Sequence, residues 1–168
     1  APSAWRRCAR AERERKSVLA GRYFDEWRVG DRIVHDIRRT VTETDNLLFS
    51  TMTHNPQPLH LDVEAARASE FGRILVNGTF TFALMVGLSV GDTTLGTLVA
   101  NLGYDKLVMP HPVFIGDTMR AETEVTELRD SRSRPDAGIV TFTHVLVNQR
   151  DQIVCQCLRT ALLKRKPG

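Results

Sequence analysis

The sequence is centred on the loop His54-Asn55-Pro56-Gln57-Pro58-Leu59-His60 and on the later segment Asn77-Gly78-Thr79, which continues as the apolar stretch 80–90. The two prolines cannot donate to a strand ladder or lie inside a helix, so we expect the loop to be extended, with its polar side chains in fixed directions. A rigid loop with His and Asn beside apolar segments is typical of a functional site. The apolar stretch predicts a fully buried helix that begins at Gly78, and its free N–H groups can receive an anionic oxygen.

The remaining segments predict a sheet around this helix. Before the loop, a strand is expected at 32–41, followed by a helix of about three turns with a capping box at Thr42 and Asp45. Asp62 is expected to cap a second short helix that ends at Gly72. After Gly96, four strands joined by successive hairpins are predicted as an antiparallel meander at 97–109, 118–128, 139–147 and 153–163. One apolar helix with a meander requires the sheet to wrap around the helix, which is the α+β hot-dog arrangement.

Aligned on Pro58-Leu59-His60, the chain resembles the MaoC-like dehydratases and (R)-specific enoyl-CoA hydratases of the hot-dog fold. Their signature reads roughly Gly-Asp-x-Asn-Pro-Leu-His, and a His-Gly pair later opens the central helix. The resemblance covers about residues 23–163. It implies that His60 takes the place of the family's catalytic His, and Gly78 the place of the Gly whose N–H binds the thioester oxygen.

The chain departs from this signature at two loop positions. Asn55 stands where the family has its catalytic Asp, and Gln57 stands where it has Asn. The Asn-x-Gln-Pro-Leu-His version resembles the branch that acts on carboxylated acyl-CoAs, the mesaconyl-, itaconyl- and methylmalyl-CoA hydratases. The resemblance therefore implies reversible hydration of a short, branched or carboxylated enoyl-CoA.

The expected chemistry distributes roles among these residues. His60 would take a proton from the water that attacks the double bond, and the Gly78 N–H would stabilise the negative charge on the thioester oxygen. Asn55 can hold the water but cannot accept its proton. His54 and His111 are weaker candidates, and the expected substrate-binding residues are Gln57, Asn77 and Arg73.

Two other functions remain open at this point. The first is a hot-dog acyl-CoA thioesterase, in which Asn55 or His60 positions water for attack on the thioester carbonyl. The second is a non-catalytic acyl-CoA-binding subunit, which the missing Asp favours. No motif predicts a metal or a redox cofactor, and coenzyme A is expected only as part of the substrate.

Length and composition limit the possible domain organisation, partners and oligomeric state. The chain of 168 residues suits one domain, expected at 21–168, after an N-terminal basic arm or helix at 1–20. The formal net charge of +3 and the interspersed acids argue against a nucleic-acid partner, and no apolar run is long enough for a membrane span. Three cysteines are too few for a disulfide framework, so we expect reduced thiols and a cytoplasmic protein. A single hot-dog sheet leaves an open edge, which predicts a homodimer, with a trimer of dimers as the larger alternative.

Overall fold

A computed structural model describes residues 20–168, so the predicted basic arm or helix lies almost wholly outside the described residues. A short 3₁₀ turn at Phe24–Glu26 precedes the first strand. The helices and strands that follow, in chain order, are β1 (Arg32–Thr40), α1 (Glu43–Met52), α2 (Pro58–Leu61), α3 (Val63–Ala68), α4 (Gly78–Thr93), β2 (Leu98–Val108), β3 (Thr118–Asp130), β4 (Ala137–Val147) and β5 (Ile153–Lys164).

The five strands form one antiparallel sheet in the order β1-β3-β4-β5-β2, and α4 packs against β1, β3, β4 and β5. This confirms the α+β hot-dog prediction. The predicted meander is wrong at β2, which pairs with β5 at the far edge and not with β3. Pro110 and Pro112 after β2 cannot donate to a ladder. The Val113 carbonyl instead accepts a hydrogen bond from the Val76 N–H at 2.9 Å, so the connection contacts the segment before α4.

The central helix contacts the sheet through one side. Met85 and Leu88 of α4 are buried in the core with residues of β3, β4 and β5. Thr79, Ala83 and Gly87, which recur at four-residue spacing, are exposed. The prediction of a fully buried helix is therefore wrong in this chain, because the sheet covers one face of α4 and leaves the stripe at 79, 83 and 87 open.

The proline-containing loop is less extended than expected. Residues Pro58–Leu61 form one turn of helix, with Pro58 at its first position. A proline is tolerated there because the first N–H of a helix has no partner within the helix. The Asp62 side chain caps α3 as predicted, accepting hydrogen bonds from the N–H groups of Glu64 and Ala65. The helix nevertheless ends at Ala68, before the predicted end at Gly72.

Helix α1 begins with the predicted capping box at Thr42 and Asp45. Its apolar side chains Leu47, Leu48 and Met52 are exposed, whereas the buried side chains are Asn46 and Ser50. The inward face of α1 is thus polar. Its two buried side chains form hydrogen bonds with His60 and Asn77.

The two cysteines of β5, Cys155 and Cys157, are buried and unpaired. Burial raises the pKa of the Cys155 thiol to about 12 and that of Cys157 to about 11, so both remain protonated at neutral pH. In the described part of the chain, no helix combines the length and the apolar character needed to cross a membrane.

Candidate active site

The imidazole of His60 is fixed from one side by the segment that precedes α4. Its Nδ1 donates a hydrogen bond to the Leu75 carbonyl at 2.7 Å. The Leu75 N–H in turn donates to the Leu59 carbonyl at 3.0 Å, which ties the α2 turn to the same segment. A carbonyl oxygen can only accept, so Nδ1 must carry the proton. In the neutral ring Nε2 therefore holds a lone pair and can accept a proton.

Asn46 of α1 connects His60 to the start of α4. Its Nδ2 donates to the His60 carbonyl at 2.8 Å, and its Oδ1 accepts from the Asn77 N–H at 2.9 Å. The side chain is buried, so both hydrogen bonds are shielded from water. Asn46 was not among the site residues predicted from the sequence. The available signal was the polar pair Asn46 and Ser50, one helical turn apart, in a helix whose other side is apolar.

Asn77 caps α4. Its Oδ1 accepts from the Thr79 N–H at 3.0 Å and from the Thr79 hydroxyl at 2.9 Å, and its Nδ2 contacts the Ser50 hydroxyl at 3.2 Å. The side chain is buried. The structure thus places Asn77 at the helix start, where its hydrogen bonds fix the position of Gly78.

Gly78 is the first residue of α4, and none of the described residues accepts a hydrogen bond from its N–H. It lines a cavity of about 260 Å³ whose wall also includes Leu75, Thr81, Met109 and His111. A Cβ atom at position 78 would lie 2.8 Å from the Met109 sulfur. Met109 therefore covers Gly78, and a side chain at position 78 would have to displace it.

The loop residues Asn55 and Gln57 stabilise the turn in which they lie. Asn55 Oδ1 accepts from the Gln57 N–H at 3.0 Å, and the Asn55 N–H donates to the Ser50 carbonyl at 2.9 Å. Asn55 is half-buried and Gln57 is exposed. His54 before them is exposed and has a left-handed backbone, with φ of 53°. The Asn55 Oδ1 is thus occupied by the turn, and its Nδ2 is left to donate.

Arg73 lies beside the cavity and not in it. Its guanidinium stacks over the Phe114 ring at 3.8 Å from the centroid. Phe114 contacts Phe71 edge to face, and Phe71 lines the cavity. The predicted contact between Arg73 and a substrate carboxylate would require the guanidinium to reach past this aromatic pair.

His111, a weaker candidate from sequence, lines the same cavity as Gly78. Its Nδ1 donates to the Ile153 carbonyl at 2.8 Å, which fixes the ring as Leu75 fixes His60. The flanking Pro110 and Pro112 restrict the backbone on both sides. This Pro-His-Pro pattern was the available sequence signal.

A second polar cluster lies near the other end of α4, between this helix and the sheet. His35 Nδ1 donates to Asp92 at 2.8 Å, His35 Nε2 contacts the Thr123 hydroxyl at 2.7 Å, and that hydroxyl contacts His144 Nδ1 at 2.8 Å. Burial lowers the pKa of His35 although Asp92 opposes the shift. Burial, together with the charge of the buried Arg159, holds the pKa of His144 well below its usual value. Both rings are therefore neutral at neutral pH.

Within residues 20–168, no group of three or more His, Cys, Asp or Glu side chains is arranged to hold a metal ion. The basic residues after β5 are already engaged in ion pairs. Arg165 contacts Asp25 and Asp130, and Lys166 contacts Glu26 at 2.9 Å.

Comparison with known proteins places these features in context. Residues 26–148 match the protein family described as the MaoC like domain. Mesaconyl-CoA hydratase of Cereibacter sphaeroides is 33% identical over 147 residues, which cover 88% of this chain and 42% of that protein. Beta-methylmalyl-CoA dehydratase of Chloroflexus aurantiacus is 29% identical over 146 residues, which cover 87% of this chain and 41% of that protein. The chain thus spans about two fifths of the length of these curated relatives.

Among solved structures, the MaoC-like dehydratase from Rhodospirillum rubrum is 33% identical to the chain. The two structures superpose with a TM-score of 0.77, and the match covers 88% of this chain and 100% of the other.

Proposed function

The chain belongs to the MaoC-like dehydratase family, and on that premise we propose that it adds water reversibly to the double bond of an enoyl-CoA thioester. The observation that carries the proposal is the hydrogen bond from His60 Nδ1 to the Leu75 carbonyl, because it leaves Nε2 as a proton acceptor. His60 is the general base, and Gly78 supplies the N–H for the developing oxyanion.

The reaction follows from these two groups. Nε2 of His60 takes a proton from water while the water oxygen bonds to C3 of the enoyl group. The electron pair of the double bond moves through C2 to the thioester oxygen, and the Gly78 N–H stabilises the resulting enolate. The imidazolium then returns its proton to C2, which completes the addition of one water molecule. Dehydration runs through the same steps in reverse.

Asn55 positions the water in this proposal. Its Nδ2 can donate to the water oxygen, while its Oδ1 remains in the turn with the Gln57 N–H. An amide cannot accept the proton, so His60 alone serves as the base. Asn55 also brings no negative charge to the loop, which suits an acyl group that carries its own carboxylate. The similar mesaconyl-CoA hydratase and beta-methylmalyl-CoA dehydratase support a short, branched or carboxylated acyl group, with Gln57 as a further substrate contact.

We also propose that the chain forms a homodimer through β2. This strand lies at the sheet edge, and its exposed large apolar side chains are Leu102, Tyr104, Leu107 and Val108. An unprotected apolar edge is a template for pairing with another strand. Pairing of two β2 strands would satisfy the open backbone groups and cover these side chains.

The direct test follows the absorbance of the conjugated thioester when the protein is mixed with mesaconyl-CoA, itaconyl-CoA or crotonyl-CoA. We expect hydration of mesaconyl-CoA, and a loss of roughly 100-fold or more in kcat for His60→Ala. A free-thiol assay on the same samples separates hydration from thioesterase activity. Binding without turnover of any of these thioesters would support a non-catalytic acyl-CoA-binding subunit instead.

A further inference from the structure

The cavity beside Gly78 is small and largely apolar. Its walls include Phe71, Val76, Val113 and Val154, and its volume is about 260 Å³. Pockets for drug-sized ligands usually measure about 300–1,000 Å³. The cavity therefore suits a short acyl chain whose thioester oxygen lies at the Gly78 N–H.

Among the described residues that line this cavity, His111 is the one with a titratable side chain, and none of them is an Asp or a Glu. His111 is accessible from outside, yet its ring is held by the hydrogen bond from Nδ1 to the Ile153 carbonyl. When Nε2 is also protonated, the ring donates from both nitrogens and carries a positive charge. A carboxylate can accept a hydrogen bond from Nε2–H of such a ring.

The nearby cation Arg73 is less well placed than His111. The Arg73 guanidinium lies over Phe114, outside the cavity wall that Phe71 forms. The uncharged Asn55 also removes a carboxylate that would repel an anionic acyl group. Among the described residues that line the cavity, His111 is thus the side chain that can donate a hydrogen bond to an anionic group and carry a positive charge, and Asn55 in the proline-containing loop is uncharged.

We propose that His111 binds the distal carboxylate of the acyl chain and thereby selects carboxylated acyl-CoAs. The proposal rests on the proposed hydratase function for the position of the thioester. In this arrangement the carboxylate accepts a hydrogen bond from Nε2–H of His111 while the Gly78 N–H binds the thioester oxygen. His111 determines specificity and takes no part in the proton transfers assigned to His60.

The test compares two saturated thioesters with the same carbon skeleton, 2-methylsuccinyl-CoA and 2-methylbutyryl-CoA, which differ by a carboxylate in place of a methyl group. Neither can be hydrated, so calorimetric binding is independent of turnover. We expect the protein to bind 2-methylsuccinyl-CoA more tightly. His111→Gln should weaken its binding about 10- to 100-fold, the scale of a lost hydrogen bond to a charged group, and change the binding of 2-methylbutyryl-CoA less than twofold. His111→Lys, which places an ammonium group at this position, should retain part of the preference.

Arg73→Gln is the matched control, because it removes a cation outside the cavity. Loss of the carboxylate preference in Arg73→Gln but not in His111→Gln would overturn the proposal, as would equal binding of the two thioesters by the unaltered protein. A preference that depends on His111 in a protein that hydrates no enoyl-CoA would support the carboxylate site and contradict the hydratase function. Hydration of mesaconyl-CoA, with no effect of His111→Gln on the binding of either thioester, would support the hydratase function and contradict the carboxylate site.

Discussion

Asn46 donates a hydrogen bond to the His60 carbonyl at 2.8 Å from a helix that precedes the loop carrying His60. The same amide accepts from the Asn77 N–H, immediately before Gly78. One buried side chain thus fixes the distance between the proposed base and the proposed oxyanion site. This arrangement predicts that both stability and activity depend on the Asn46 amide.

Replacing Asn46 by Leu keeps a side chain of similar size but removes the amide, which leaves the His60 carbonyl and the Asn77 N–H without partners. Each unpaired buried group costs about 1–3 kcal/mol, so the free energy of unfolding should fall by at least that amount. The turnover number should fall as well, because small displacements of reacting groups reduce the rate strongly. Urea unfolding and hydratase kinetics measure the two effects. Thr51→Ala, on the exposed side of α1, is the control and should change neither.

Asn46→Asp separates the two hydrogen bonds of this side chain. The aspartate can still accept from the Asn77 N–H, but its second oxygen cannot donate to the His60 carbonyl. We expect the position of Gly78 to be retained and that of His60 to be disturbed, so kcat should fall more than KM rises. Normal kcat in a folded Asn46→Asp protein would contradict a positioning role.

Gly78→Ala should reduce kcat/KM roughly 10- to 100-fold without unfolding the protein, because the new methyl group meets the Met109 sulfur and displaces a flexible side chain into the cavity. Adding Met109→Ala to this variant removes the obstructing side chain and should restore part of the activity. The comparison of the single and double variants measures the coupling between the two positions. Full activity of Gly78→Ala would show that Met109 does not limit access to the Gly78 N–H.

The buried histidines predict a loss of stability in mild acid. The folded-state pKa values of His35 and His144 are lowered, so between those values and about 6.5 the unfolded chain binds more protons than the folded chain. The free energy of unfolding should therefore decrease as pH falls below about 6.5, by up to about 1.4 kcal/mol per pH unit for each histidine. Urea unfolding between about pH 5 and pH 8 measures this slope, above the range where carboxylates titrate.

His144→Gln removes one of the two groups and should flatten that slope. His54→Gln changes an exposed histidine and should leave it unaltered. A free energy of unfolding that stays constant over this range in the unaltered protein would mean that His35 and His144 become protonated in the folded state without penalty.

Patterns local to the chain predicted most of the fold. The capping box at Thr42 and Asp45, the Asp62 cap and the start of α4 at Gly78 were all correct, because each depends on residues a few positions apart. The place of β2 was not predictable in this way. Its pairing with β5 is a contact between distant segments, and the hairpin assumption placed it beside β3.

The candidate site shows the same division. The sequence motif predicted His60 and Gly78 as site residues and offered His111 only as a weaker candidate. The contact of His111 is 42 residues away in sequence, and that of Asn46, which was not predicted, is 14 residues away. The chain of hydrogen bonds from His35 to His144 likewise joins β1, β3 and β4 across the sheet. Sequence spacing carries no information on such contacts, so the hydrogen-bond partners of these residues became known only from the structure.

A charge on the β2 edge should prevent the proposed dimer. Leu102→Lys places an ammonium group at an exposed apolar position of β2, and charged side chains at an edge oppose strand pairing. Light scattering at micromolar concentration should show a dimer for the unaltered protein and a monomer for this variant. Ile37→Lys, at an exposed position of β1 on the opposite edge, is the matched control and should remain dimeric. A monomeric unaltered protein, or a monomer produced by Ile37→Lys and not by Leu102→Lys, would contradict pairing through β2.

Asn55→Asp tests whether the acyl group near this loop is anionic. The aspartate can keep the hydrogen bond from the Gln57 N–H, so the turn should persist while one negative charge is added. Two unit charges roughly 8–16 Å apart repel by about 1–2 kcal/mol at an effective dielectric constant of about 20, and binding of 2-methylsuccinyl-CoA should weaken about 5- to 30-fold. Binding of 2-methylbutyryl-CoA should change little, because it has no distal charge.

The neutral variant Asn55→Ala separates charge from the loss of the turn. It removes the hydrogen bond to the Gln57 N–H without adding a charge. Any loosening of the loop should therefore weaken the binding of both thioesters to a similar extent. Calorimetry on the three proteins with both thioesters gives the charge effect as the difference between the Asp and Ala variants. If that difference is the same for the carboxylated and the methyl-ended thioester, position 55 does not face the distal end of the acyl group. The charge of the substrate would then not explain why position 55 is Asn in this chain.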